Sequence, residues 1–192
     1  MAIVINGSGT VTGLAVGGLP DGTVDAGTLA TDSVTAAKLE VSAITGADLP
    51  AGSVLQVVNF RSTANNTSTT SQSYVDTGMS ATITPSSTSS KILVVANLNG
   101  LYKDNAQNAI STKLLRGSTD IGTIDSMNTY TDNTDTGASG ASISYLDSPN
   151  TSSAVTYKIQ FASISSSNVM INIRWNASYT THSTITLMEI AG

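Results

Sequence analysis

The chain has 192 residues, of which 11% are charged, with a net charge of −5 and no cysteine. These figures exclude a disulfide framework or thiolate site and any basic field that would draw nucleic acid or anionic lipid. Charge far below the usual quarter, with abundant Thr, Ser, Gly and Asn beside Val and Ile, fits a β-structure better than a disordered chain.

Residues 1–13 open with Ile3, Val4 and Ile5 and continue as NGSGTVTG, which predicts one short strand and a tight turn. The leading Met-Ala-Ile-Val-Ile-Asn carries no basic region, so no export signal is expected, and no apolar run is long enough to span a membrane. Without export, the N-x-[ST] sequences at Asn65, Asn66, Asn150 and Asn176 are expected to stay unmodified.

From residue 14 every fifth residue is apolar: Leu14, Leu19, Val24, Leu29, Val34, Leu39, Ile44, Leu49 and Val54. The unit is ten residues long, read in TVDAGTL (23–29), SVTAAKL (33–39) and AITGADL (43–49). A helix repeats its face every 3.6 residues and a strand every 2.0. Neither gives five, so no single regular element carries this seam. A short extended piece, one helical turn and a sharp turn would fit. Asp32, Ser33 or Thr35 can cap the turn, Ala36, Ala37, Lys38 and Leu39 favour it, and Gly27 and Gly46 break it. One apolar residue in five cannot offset a backbone ordering cost of roughly 1–2 kcal/mol per residue. Several copies wound about one axis could share that burial. The nine residues are therefore assigned to trimer assembly, and 14–52 to a shaft. The competing reading is a flexible linker with fortuitous spacing.

Leu49-Pro50-Ala51-Gly52 marks a boundary, with the junction at 50–53. Beyond it every segment reads as β. Strands are expected at Ser53–Arg61, Tyr74–Thr84, Lys91–Leu98, Ala109–Leu115, Asp120–Asp125, Ala141–Asp147, Ala154–Phe161, Val169–Trp175 and Ser183–Ile190. Lys91–Leu98 is nearly all apolar, as a strand buried on both faces would be. Val155, Tyr157, Ile159 and Phe161 alternate with polar residues, as do Val169, Ile171, Ile173 and Trp175. Residues 62–73, 102–108 and 126–140 read as polar loops. So many short strands between Ser/Thr/Asn/Gly/Pro turns indicate a β-sandwich over 53–192, with a jelly roll as the expected topology.

GLAVGGLPDGTVDAGTLATDSVTAAKL resembles the shaft repeats of bacteriophage tail fibre proteins, especially those of marine and cyanobacterial phages. YVDTGMSATITPSSTSSKILV (74–94), LLRGSTDIG (114–122), SYLDSP (144–149) and STITLMEI (183–190) are similar to the C-terminal modules of such fibres. The resemblance implies a homotrimeric virion protein: an anchor strand (1–13) joined to other virion proteins, a shaft (14–52) and a jelly-roll head (53–192). Long tail fibres begin with a dedicated attachment domain, whereas here shaft repeats follow Met1 almost at once. A small fibre is therefore expected, or alternatively a capsid decoration or cement trimer that clamps the capsid through its N-terminal arms.

For catalysis, His182 is the only histidine and lacks a GxSxG elbow. Asp104, Asp120, Asp125, Asp132, Asp135 and Asp147 could supply a glycosidic carboxylate pair, but Asp at this density is ordinary for turns. Asp132-Asn133-Thr134-Asp135 with Asp125 could ligate Ca²⁺, without EF-hand spacing. The phase of Trp175 assigns it to a core or interchain contact ahead of sugar stacking. The reading is non-enzymatic, with no cofactor and no metal. The expected ligand surface is loops 62–73, 102–108 and 126–140, facing a host-surface glycan or receptor.

Overall fold

A computed structural model describes residues 4–5, 11–12, 31, 34–35, 44–62, 67–134, 137–174 and 179–192. Its contacts divide the chain into Met1–Thr45 and Gly46–Gly192. In the first unit, β1 (Val4–Ile5) pairs antiparallel with β2 (Val11–Thr12). The single strand and turn expected there is thus a two-stranded pairing.

Among its described residues the second unit is all-β apart from a 3-10 turn at Gly46–Asp48. Its elements are β3 (Val54–Arg61), β4 (Thr67–Thr69), β5 (Val75–Ile83), β6 (Lys91–Lys103), β7 (Asn108–Arg116) and β8 (Thr119–Thr131). They continue with β9 (Gly137–Asp147), β10 (Val155–Ser163), β11 (Val169–Ile171), β12 (Ile173–Arg174), β13 (Tyr179–Thr180) and β14 (Thr184–Ile190). The contact boundary falls before Gly46, ahead of the Pro50–Ser53 junction read from composition. Gly52 N donates to Ala191 O and Ala191 N to Ser53 O, each at 2.8 Å, tying this stretch to the C-terminus.

Two antiparallel sheets form the sandwich. One is ordered β5-β10-β7-β8. In the other, β6 pairs with β14 along one edge and with β9 along the other, and β3 lies outside β14. β11 continues the line of β14 beside Tyr102 and Lys103, with β4 beyond it. Inward rows alternate as the pleat requires. Ile92, Val94, Ala96 and Leu98 of β6 and Ile185 and Leu187 of β14 meet Met79, Ala81 and Ile83 of β5 and Tyr157, Ile159 and Phe161 of β10.

Two buried carboxylates at the sandwich margin are paired, as desolvation demands. The Tyr157 hydroxyl donates to Asp147 at 2.6 Å, and Arg116 donates to both Asp147 oxygens at 2.9 Å. Burial, and then the Asp147 carboxylate, push the Tyr157 phenol well above its usual range. Glu189 points inward from β14. It accepts from Ser86 N at 2.7 Å, Ser86 Oγ at 2.6 Å and Gln56 Nε2 at 2.5 Å.

Four expectations change. β6 is not buried on both faces, because Leu93 and Val95 on its outer side are only half-buried. Residues 126–140 are not a long loop: β8 runs to Thr131 and β9 starts at Gly137. Their polar residues show no apolar period because β8 is an edge strand whose ladder is supplied by β7, with register shifts. Within 62–73, Thr67–Thr69 forms β4 against β11. The strand expected over Val169–Trp175 breaks at Asn172, where φ is +66°. Trp175 lies outside the described residues.

Burial works to raise the Glu189 carboxyl, but the hydrogen bonds from Ser86 and Gln56 outweigh it and hold it below its ordinary 4.5. The Gln160 amide and Lys158 likewise lower Asp76. Depressed carboxylates stabilise the fold above their unfolded values, and that stability is lost as pH falls through the folded values. Thermal unfolding followed by circular dichroism is expected to show a melting temperature that drops as pH falls below 4.5. Glu189→Gln should flatten that drop, and at neutral pH it should cost about 1.5–3 kcal/mol.

Candidate functional site

Of the nine residues expected to mediate assembly, Leu14, Leu19, Val24, Leu29 and Leu39 lie outside the described residues. The other four are open to solvent in the single chain: Val34 by 52%, Ile44 by 55%, Leu49 by 39% and Val54 by 52%. Between Leu49 and Val54 the chain turns through Pro50-Ala51-Gly52, closed by Ser53 N donating to Pro50 O at 3.1 Å. Gly52 has φ +91°, a conformation that favours glycine. The turn delivers the last seam residue onto the first strand of the sandwich.

The pairing register gives the sandwich two distinct ends. Val54, Ile190 and Lys91 share a row at the end where the chain enters. β6 then runs the full length of its sheet, about 40 Å at roughly 3.3 Å per residue, to Lys103 at the far end. The loops expected to face a ligand gather there. Ser163 N donates to Ser71 O at 2.8 Å and Gln72 Nε2 to Ile164 O at 2.9 Å. Asp104 N donates to Asn168 O at 2.9 Å, and Asn168 Nδ2 to the Asp104 carboxylate at 3.0 Å. Segments of 62–73 and 102–108 thus meet around the 164–168 turn, and Gln107 N donates to Thr131 O at 2.8 Å, which joins 126–140 to the 102–108 connection.

Lys103 holds this end together. It is fully buried, and its ammonium donates to Asn105 O at 2.8 Å, to Thr131 Oγ1, and to Asn133 O at 3.4 Å. A buried ammonium needs such partners, because burial without them is costly. Sequence reasoning passed over Lys103; its signal was one cation closing a thirteen-residue, mostly apolar strand.

His182 sits in a structural corner. Its Nδ1 lies 3.0 Å from Ser62 O, and its carbonyl accepts from Asn99 Nδ2 at 2.8 Å. Beneath it, Asn172 Nδ2 donates to Ser62 Oγ at 2.9 Å and Ser183 Oγ to Asn172 Oδ1 at 2.6 Å. These bonds account for the strand break at Asn172.

The carboxylates are dispersed and locally paired. Asp120 meets Lys113 at 3.3 Å. Asp125 accepts from Met127 N at 3.1 Å and Asn128 Nδ2 at 2.8 Å, and Asp132 accepts from Tyr130 at 2.9 Å. Asp147 is held by Arg116 and Tyr157 as described. Asp135 lies outside the described residues. Among the described residues no three His, Cys, Asp or Glu converge as metal ligands.

Near the far end, a shallow open depression of about 460 Å³ runs over Asn99, Gly100, Ser139, Gly140 and Thr181. A second, of about 330 Å³, adjoins it through the shared Asn99 and Gly140. The first also takes in Ala138 and Ile173 and is mixed in character, while the second is lined mainly by hydrogen-bonding groups. The sequence signal was weak: Gly100 and Gly140 within otherwise extended segments.

The chain matches no known protein-family model and no curated protein.

Gly100 and Gly117 separate two effects at this level of detail. Both have φ near +60°, but an added Cβ at Gly100 would lie 2.1 Å from Ile173 O, while at Gly117 it would meet nothing within 4 Å. Gly117→Ala is expected to cost about 1 kcal/mol from backbone strain alone. Gly100→Ala should cost clearly more, about 3 kcal/mol, measured by urea denaturation of both variants.

Proposed function

We propose that this chain is a non-enzymatic bacteriophage virion protein, a homotrimeric fibre. Its N-terminal segment joins other virion proteins and residues 14–52 form the wound shaft. Residues 53–192 form a jelly-roll head that meets a host-surface glycan or receptor.

The observation that carries this reading is the period-five seam. Its described members Val34, Ile44, Leu49 and Val54 are all exposed in one chain. Aliphatic residues at a fixed interval, uncovered by their own chain, call for other copies of it. The strand orders β3-β14-β6-β9 and β5-β10-β7-β8 support the jelly-roll reading, since eight strands in two four-stranded sheets can be wound as paired Greek keys. Head polarity supports the recognition role. The chain enters at one end, and the loops rich in Asn, Asp, Ser and Thr collect at the other. Loops presented on a rigid sandwich are where recognition commonly sits.

Light scattering of the full chain should give three times 19.6 kDa. Ile44→Asp, which places a carboxylate in the exposed seam, should shift the mass toward one chain at low micromolar concentration without altering the head's circular dichroism. A single-chain mass for the unaltered protein would refute the fibre. Antibody to the head is expected to decorate particle tails; decoration of the capsid shell would reassign the trimer to cement.

A further inference from the structure

The outer face of the β3-β14-β6-β9 sheet is apolar at the entry end. Pairing register fixes which residues share it, because directly opposed residues point to the same side. Ile185, Leu187 and Glu189 point into the core, so Thr184, Thr186, Met188 and Ile190 point out. Val54 and Lys91 flank Ile190. In the next row Val57, Met188, Leu93 and Leu146 run side by side across all four strands. Beyond them come Asn59, Thr186, Val95 and Ser144, then Arg61, Thr184, Asn97 and Ser142. The face therefore grades from apolar at the entry end to polar toward the loops.

Val57 is 57% exposed and Leu146 51%. The described large apolar residues open to solvent are Val34, Ile44, Leu49, Val54, Val57, Met127, Tyr130 and Leu146. All but Met127 and Tyr130 belong to the seam or to this face, and Val54 belongs to both.

We propose that three copies of this chain turn this face toward one another, with Val57, Met188, Leu93 and Leu146 in contact between copies. The proposal rests on the trimeric reading above and names the surface through which the heads meet. Three observations identify the occupant as further copies of the same chain. Val54 ends the seam and begins the face, so the line of apolar residues that calls for copies continues onto the sheet. The four rows contain no carboxylate, although the chain carries 13 Asp and Glu, and their two cations, Lys91 and Arg61, stand in the first and last rows, so the row from Val57 to Leu146 brings no like charges together. The area also fits a contact that supplements a shaft. Four strands at about 4.8 Å and four rows at about 7 Å give roughly 540 Å², against about 800 Å² per partner for a stable interface. The shaft would supply the remainder.

The chain has no cysteine, so single thiols report this face directly. Leu146→Cys and Val57→Cys probe its two edges. Met127→Cys, at a site 52% exposed on β8 in the other sheet, serves as the reference. Each full-length variant is alkylated with iodoacetate under native conditions, and its mass is read by light scattering in the same solution. At ten times the dissociation concentration, the two face thiols should react about tenfold more slowly than the reference, and dilution should abolish the difference. Trimeric protein in which all three thiols react alike would overturn the proposed face and leave the trimer standing. A single-chain mass at every concentration would overturn both.

Discussion

The packing of two sheets through their inward rows is the interaction on which the head depends. Tyr157, Phe161 and Met79 from one sheet interlock with Ile92, Leu98 and Leu187 from the other, all shut off from solvent. Because side chains alternate along a strand, burying these rows commits every second residue of each strand to the outside. It also brings polar groups to the margins, where they must be paired. Asp147 gathers Arg116 and Tyr157, and Glu189 gathers Ser86 and Gln56. Each carboxylate joins segments far apart in sequence, so these bonds form only once the sandwich closes.

The same alternation leaves apolar surface that the core cannot absorb. Burying an aliphatic side chain stabilises by about 1.5–3 kcal/mol. Ordering five residues of backbone costs about 5–10 kcal/mol. A seam with one such residue in five does not recover its ordering cost from that residue alone. The outer row from Val57 to Leu146 obeys the same physics on a surface that is already ordered. There the backbone entropy has been spent by the sandwich, and further burial adds to stability with little more to offset it.

Surface character divides along the length of the head. Apolar residues concentrate where the chain enters, and polar loops concentrate about 40 Å away at the spacing of a β-strand. Lys103 makes the distal end firm. Its ammonium ties the 104–107 connection to the end of β8 and the turn after it, so those loops present fixed hydrogen-bonding groups. This polarity is what the proposed fibre, assembling at one end and recognising a ligand at the other, would require.

Residue order by itself determined the β character, most of the strand cores and the existence of the seam. All three follow from local periodicity: two in Val155–Phe161 and Ile185–Leu187, five in Leu14–Val54. Local periodicity could not reveal strand segments whose partners supply their order. Thr67–Thr69, the second half of β8 and Gly137–Gly140 are polar or glycine-rich, and they are strands because neighbouring backbones offer donors and acceptors in register. Nor could it separate the two faces of β6. The run Ile92–Leu98 reads as buried throughout, yet only the strand's place in the sheet makes Ile92, Val94, Ala96 and Leu98 core and leaves Leu93 and Val95 on an outer surface. The break at Asn172 and the convergence of the loops on one end were likewise decided by tertiary structure. They depend on bonds between residues tens of positions apart, such as Asn172 to Ser62 and Asp104 to Asn168, and no pattern along the chain encodes that proximity.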